Sequence, residues 1–213
     1  ETLKPIDARP WLWPAVAAAF FGALWLAGLT VFWGDLTYIH HPWRTLAAQE
    51  VTRGRLPLWN PYAYLGMPLA AQMQSAVWYP GTLPFFVLPF EGALAVFHAA
   101  HYGLAALLTF LWLRRGGLSG PAALGGAALY AASGFLASRV PFLNILSTVA
   151  LAPALLLFSG SAWLIGLVAA LAFLSGYPQI LAGSAAAAFV VSWAVQRKPP
   201  RALAWAAGAG LAV

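Results

Sequence analysis

The sequence predicts an all-α protein: a polytopic transmembrane helix bundle whose structured first extracytoplasmic loop carries short interfacial helices. Three observations predict it. Hydrophobic residues fill 62% of the 213 positions and charged residues only 8%, against about a quarter charged in soluble domains, so lipid is the chain's main solvent. Apolar stretches of bilayer length recur along the chain. The cations gather in short clusters separated by an even number of those stretches.

The first predicted span, Trp11 to Trp33, holds no charge, and at about 1.5 Å per residue it reaches roughly 34 Å, enough to cross the hydrocarbon core. It is too long for a signal-peptide core, and no small-residue cleavage site follows. Further spans are predicted at 92–113, 120–138, 145–158, 162–175 and 180–195, and a seventh opens at 202. The fourth and fifth fall short of the roughly 20 residues a span prefers, which calls for tilt, local thinning or broken helices. All of 1–213 reads as one transmembrane domain; its start at Glu1 and its unfinished apolar run at Val213 suggest the amino-terminal part of a longer chain.

Lys4 and Arg9, then Arg114 and Arg115, then Arg197, Lys198 and Arg201 fall on one face, which the cation bias marks as cytoplasmic. The amino terminus is therefore expected inside and the loop 34–84 outside, although Arg44, Arg53, Arg55 and Arg139 lie on that outer face. The net charge of +6 follows from this anchoring, and no basic stripe on a polar face points to nucleic acid. The absence of cysteine excludes disulfides, thiolate metal sites and cysteine nucleophiles.

Within the outer loop, Pro42 to Gly54 reads as a short helix lying along the membrane plane. Trp43, Leu46, Ala47 and Val51 fall on one side, Arg44, Gln49 and Arg53 look toward water, and Glu50 can pair with Arg53. The run Arg55 to Pro80 follows, with prolines at 57, 61, 68 and 80 that exclude a continuous helix. Trp59, Tyr62, Tyr64, Trp78 and Tyr79 supply faces suited to the water–lipid boundary. Asp35 stands just beyond the first span. A carboxylate there can act as a base, or simply end the helix in solvent.

The motifs GDLTYIHHPWRTL, GRLPLWNPYAYLGMPLAAQMQSAVWYP, LYAASGFLASR and SGYPQ together resemble the bacterial YfhO family of multispanning membrane proteins, over most of Phe32 to Gln179. That family is similar to the GT-C glycosyltransferases, which move a sugar from a polyprenyl-phosphate carrier to an acceptor outside the cytoplasm. Members have been linked to glycosylation of cell-surface polymers such as lipoteichoic acid. The resemblance implies a GT-C-like fold in the bacterial cytoplasmic membrane, a polyprenyl-phosphate-linked sugar and a cell-envelope acceptor as partners, and a catalytic carboxylate in the first outer loop, where Asp35 matches. Tyr177 stands where the family usually has a histidine, so the resemblance does not carry that histidine's proton-transfer or metal role over to this position.

The expected chemistry assigns roles residue by residue. Asp35 is the expected general base for the attacking hydroxyl, with Glu50 a secondary acid whose pairing with Arg53 favours a structural role. Arg139 is the first expected partner of the leaving lipid phosphate, followed by Arg44, Arg53 and Arg55; each alone also reads as a cation snorkelling to headgroups. Trp59, Asn60, Tyr62, Gln72, Gln74 and Tyr79, with His40, His41 and Gln179, are expected to line a sugar or acceptor pocket, while the aromatics serve equally as boundary anchors. His98 and His101 read as polar residues facing a bundle interior. No metal ligand set or cofactor is expected, though weak support remains for a divalent cation. Phosphate-loop, HExxH and GxSxG motifs are absent from the sequence, so nucleotide hydrolysis, zinc proteolysis and serine hydrolysis lack support. The alternatives are a lipid or polymer-precursor transporter, and a noncatalytic scaffold of envelope synthesis.

Overall fold

The computed structural model describes residues 9–30 and 32–196, and every regular element among them is helical. Helix α1 (Leu12–Leu26) is followed by a π-helical turn (Leu36–His40) that runs directly into α2 (His41–Thr52). A loop with two short 3-10 turns leads to α3 (Pro84–Val87). The bundle is completed by α4 (Phe90–Arg115), α5 (Gly120–Ala131), α6 (Gly134–Ser138), α7 (Leu143–Leu157), α8 (Ala162–Leu174) and α9 (Pro178–Gln196).

Each of the six apolar stretches holds a helix, with revised ends. The first expected span, 11–33, stops being helical at Leu26. Gly28 adopts φ +69°, its N–H donates to the Trp25 carbonyl, and the Leu29 N–H donates to Leu24, closing a Schellman motif that ends the helix inside an apolar run. The second span is longer than expected, because α4 takes Glu91 into its first turn and Arg114 and Arg115 into its last, the placement the helix dipole favours. The third divides: α5 ends at Ala131, and Ser133 caps α6 by accepting from the Leu136 N–H. Two helices, Phe90–Arg115 and Pro178–Val195, are long and apolar enough to cross a membrane; α1, α7 and α8 are shorter apolar helices. The seventh span expected at 202 lies outside the described residues.

Helices α4 and α7 form the centre. Trp25 covers Gly92 and Pro14 sits against Gly103, so α1 runs antiparallel to α4 at small-residue contacts. The Trp13 indole donates to the Leu124 carbonyl and Tyr102 to that of Leu136, tying α1 and α4 to α5 and α6. His98 bonds Val140 O and Arg115 bonds Leu157 O, so α7 runs parallel to α4 and lies almost wholly buried. One end of the bundle thus carries the long loop, the α6–α7 junction and the α8–α9 turn.

The outer surface of the helices is more apolar than that of a soluble domain. Leu26, Leu129, Trp163 and Val195 point outward, while inside, the Ser147, Thr148 and Ser175 hydroxyls bond one another or nearby carbonyls and the Asn144 amide oxygen accepts from the Ile145 N–H. Apolar side chains facing out around an apolar core that encloses a few bonded polar groups suit a lipid surround.

Candidate functional site

The π-helical turn sets which side chains are buried beneath the loop. Pro42 has no N–H to offer the preceding turn, and the ladder widens just ahead of it. Leu36, His40, Arg44 and Ala47 then follow at helical spacing on the inward face. Arg44, expected to look toward water, is the correction: its side chain is only 2% exposed.

No acid among the described residues pairs with the buried Arg44. Its Nη1 donates to Thr82 Oγ1 at 2.7 Å, and the Thr82 hydroxyl in turn donates to the Ala76 carbonyl at 2.8 Å. The guanidinium lies over the Phe85 and Phe97 rings, 4.7 and 5.4 Å from their centroids, an arrangement that offsets part of its desolvation. Nε and Nη2 find no acceptor. Burial lowers the Arg44 pKa to about 9, against an opposing contribution from Tyr79.

His40, one helical turn before Arg44, is buried with Nδ1 unpartnered, and burial together with the Arg44 charge holds it well below the usual histidine range. Tyr79 Oη lies 2.7 Å from His101 Nε2, and His101 Nδ1 lies 2.7 Å from the Phe97 carbonyl. A carbonyl only accepts, so the neutral ring carries its proton on Nδ1 and Tyr79 donates to Nε2. Burial, moderated by Arg44, pushes the Tyr79 phenol up to about 12. Gly81 is required here, because a Cβ at that position would run into the Tyr79 ring.

Arg44 is also in the wall of a cavity of about 390 Å³ between α2 and α3. His41, Thr45 and Gln49 line its α2 side, and Phe85, Val87 and Leu88 its α3 side. A second, apolar groove of about 560 Å³ follows α1 and α4, bordered by Trp11, Ala18, Gly22, Trp25, Ala99 and Gly103. At its loop end Trp25 and Ala95 are shared with a small crevice that also meets Thr30, Glu91 and His98.

The remaining predicted residues are dispersed. Asp35 is half-buried at the start of the π-helical turn; its carboxylate makes no hydrogen bond or ion pair with the described residues and lines none of these three cavities. Glu50 is held by Arg55 through two hydrogen bonds of 2.7 and 2.8 Å and by Arg53 at 3.2 Å. This exposed cluster lowers the Glu50 pKa, chiefly through Arg55, and engages both cations. Arg139 ends α6, half-buried over the Phe135 and Phe142 rings at 5.1 and 5.4 Å, with Nε unpartnered.

Most of the expected sugar-lining residues build the loop. Asn60 is buried, pairs its backbone with Met67 and accepts from the Tyr62 N–H at 2.9 Å, so its amide oxygen organises a turn. The Gln72 side chain accepts from the Gln74 N–H at 2.6 Å. Trp59 packs beside Gly66, whose φ of +113° suits only glycine, while Tyr62 is exposed. His41 sits edge-on to Phe90 at 4.4 Å and to Phe32 at 5.3 Å. In SGYPQ, Gly176 at φ +97° presses against the Met73 carbonyl, Ser175 bonds Thr148, and Gln179 is exposed.

His98 and His101 turn to different partners, and no group of three or more His, Asp or Glu among the described residues could hold a metal ion. Sequence reasoning missed Thr82, whose place in the turn below Gly81 gave no signal. It also missed Glu91, which sits one residue ahead of the apolar run counted as the second span. Comparison with protein-family models, with curated proteins and with solved structures finds no match.

Proposed function

We propose that this chain is a multi-pass membrane glycosyltransferase of GT-C type, related to the YfhO family, that moves a sugar from a polyprenyl-phosphate carrier to a cell-envelope acceptor on the extracytoplasmic side. The observation that carries the proposal is the apolar groove along α1 and α4, which leads to the end of the bundle bearing the elaborate loop. An amphipathic substrate suits such a shape: a hydrocarbon chain against the helices, a polar head at the loop. The cation clusters support an extracytoplasmic position for that loop.

In the proposed reaction the acceptor hydroxyl attacks the anomeric carbon, and Asp35 takes the hydroxyl proton as general base. The bond from the anomeric carbon to the phosphate oxygen breaks, and polyprenyl phosphate leaves with the electron pair. Guanidinium groups at the loop end, Arg139 among them, stabilise the developing charge. A transporter would need a polar route through the bundle. The interior hydroxyls of Thr109, Ser147, Thr148 and Ser175 are instead bonded to neighbouring carbonyls or to each other, which weighs toward transfer.

The test supplies a radiolabelled polyprenyl-phosphate hexose and envelope acceptor to the protein in lipid nanodiscs. Asp35→Asn should cut transfer by about 100-fold or more while leaving membrane insertion intact. Undiminished transfer by that variant would refute Asp35 as the base.

A further inference from the structure

We infer that Arg44 anchors an oxyanion site, reached through the cavity between α2 and α3, that binds the phosphate group of an anionic ligand. This assignment rests on the glycosyltransferase reading only for the sugar the phosphate would carry. The binding itself follows from the surroundings of one side chain.

A guanidinium carries five N–H donors in a planar fork. Arg44 uses one at Thr82, while Nε and Nη2 are sealed from water without an acceptor. Two aromatic faces soften the burial of the charge but accept no strong hydrogen bond from it. A buried cation without a counter-ion is costly, and an anion arriving through the cavity would offset that cost. His40, on the same face one turn away, also has an unpartnered ring nitrogen, so the unsatisfied groups cluster on one side of a single helix.

The cavity says more about the ligand. Its α2 wall offers His41, Thr45 and Gln49, and its α3 wall is apolar, with Val87 and Leu88 exposed at the rim. One wall therefore suits a polar head and the other the first methylenes of a chain. Phosphate oxygens match the guanidinium fork in a way chloride cannot. The other cations at this end are less suited. Arg53 and Arg55 are engaged by Glu50, and Arg139 is only half-buried.

The experiment titrates the purified full chain in detergent with a short-chain polyprenyl phosphate and, separately, with inorganic phosphate, reading binding by calorimetry and the thermal midpoint. Saturable binding of either is expected, weakened about tenfold or more in Arg44→Gln. Response to the lipid alone assigns a lipid headgroup, and response to inorganic phosphate as well assigns a site that also takes the free anion.

Because Arg44→Gln removes an unpaired buried charge, its unliganded thermal midpoint should hold or rise; a fall together with unchanged binding overturns the proposal in favour of a packing role. Should that variant fail to fold, Ala48→Phe, which fills the cavity and leaves Arg44 in place, supplies the same test. Undiminished binding in a folded Ala48→Phe protein, or no binding of either probe by the natural chain, overturns the site. Binding that survives in a chain unable to transfer sugar counts against the enzyme and leaves the anion site standing.

Discussion

Arg114 and Arg115 at one end of the bundle and Arg44 at the other are the same residue type in opposite circumstances. The first two close α4, where the helix dipole favours a cation, and they donate to the carbonyls of Leu118 and Leu157 at nearby chain turns. Their positions follow from secondary structure. Arg44 lies within α2, is buried, and faces two aromatic rings and a threonine. Arg114 Nε also lacks an acceptor, but a cation at a helix end is explained by the helix, whereas one enclosed without an acid is not.

The sharpest way to break the contrast is to unseat the loop that encloses Arg44. Gly176 lets the α8–α9 turn meet the Met73 carbonyl at a φ of +97°. Gly176→Val adds backbone strain and a collision, and should destabilise the protein by about 3 kcal/mol. Thermal unfolding in detergent measures it, and an unchanged midpoint would mean the loop is not held at that turn.

A smaller effect is expected from pH. Because burial and Arg44 hold His40 below its ordinary pKa of about 6.5, the unfolded chain binds a proton first as the solution is acidified. The contribution of His40 is therefore complete above about pH 6.5 and is lost as pH falls toward its folded value, so the thermal midpoint should fall between about pH 7.5 and 5.5. Comparing midpoints at those two pH values with His40→Gln isolates this residue; identical slopes would show that His40 is not enclosed.

Arg115→Gln should change least, about 0.5 kcal/mol, as a carbonyl contact at an exposed helix end is lost. A loss matching that of Gly176→Val would erase the distinction between the two ends.

The helices were legible because their apolar runs are long and separated by glycine, proline and charge. Their ends were less so. At Gly28 the backbone leaves the helix while apolar residues continue, and composition counts them alike. Ser133 divides the third run through a cap that a hydrophobicity window does not sense. In the loop, the pairing of Glu50 with Arg53 was visible from a three-residue spacing, and Arg55 joined it from beyond the helix. The burial of Arg44 was hidden by the π-helical turn, which rotates the inward face, although Leu36, His40 and Arg44 at four-residue spacing carried its trace. Asn60 and Gln72 read as free amides because a side chain bonding its own backbone leaves no mark in composition.

On the membrane reading proposed above, the early stop of α1 would also bear on the shape of the surrounding bilayer. Its 15 residues rise about 22 Å, beside a neighbour of 26 residues that rises about 39 Å. Acyl chains that met this flank would shorten or splay to match it, and the leaflet would thin locally. Such thinning would draw the headgroup plane inward along the open side of the groove, and the polar end of a long-chain lipid diffusing there would be lowered to the level of the loop.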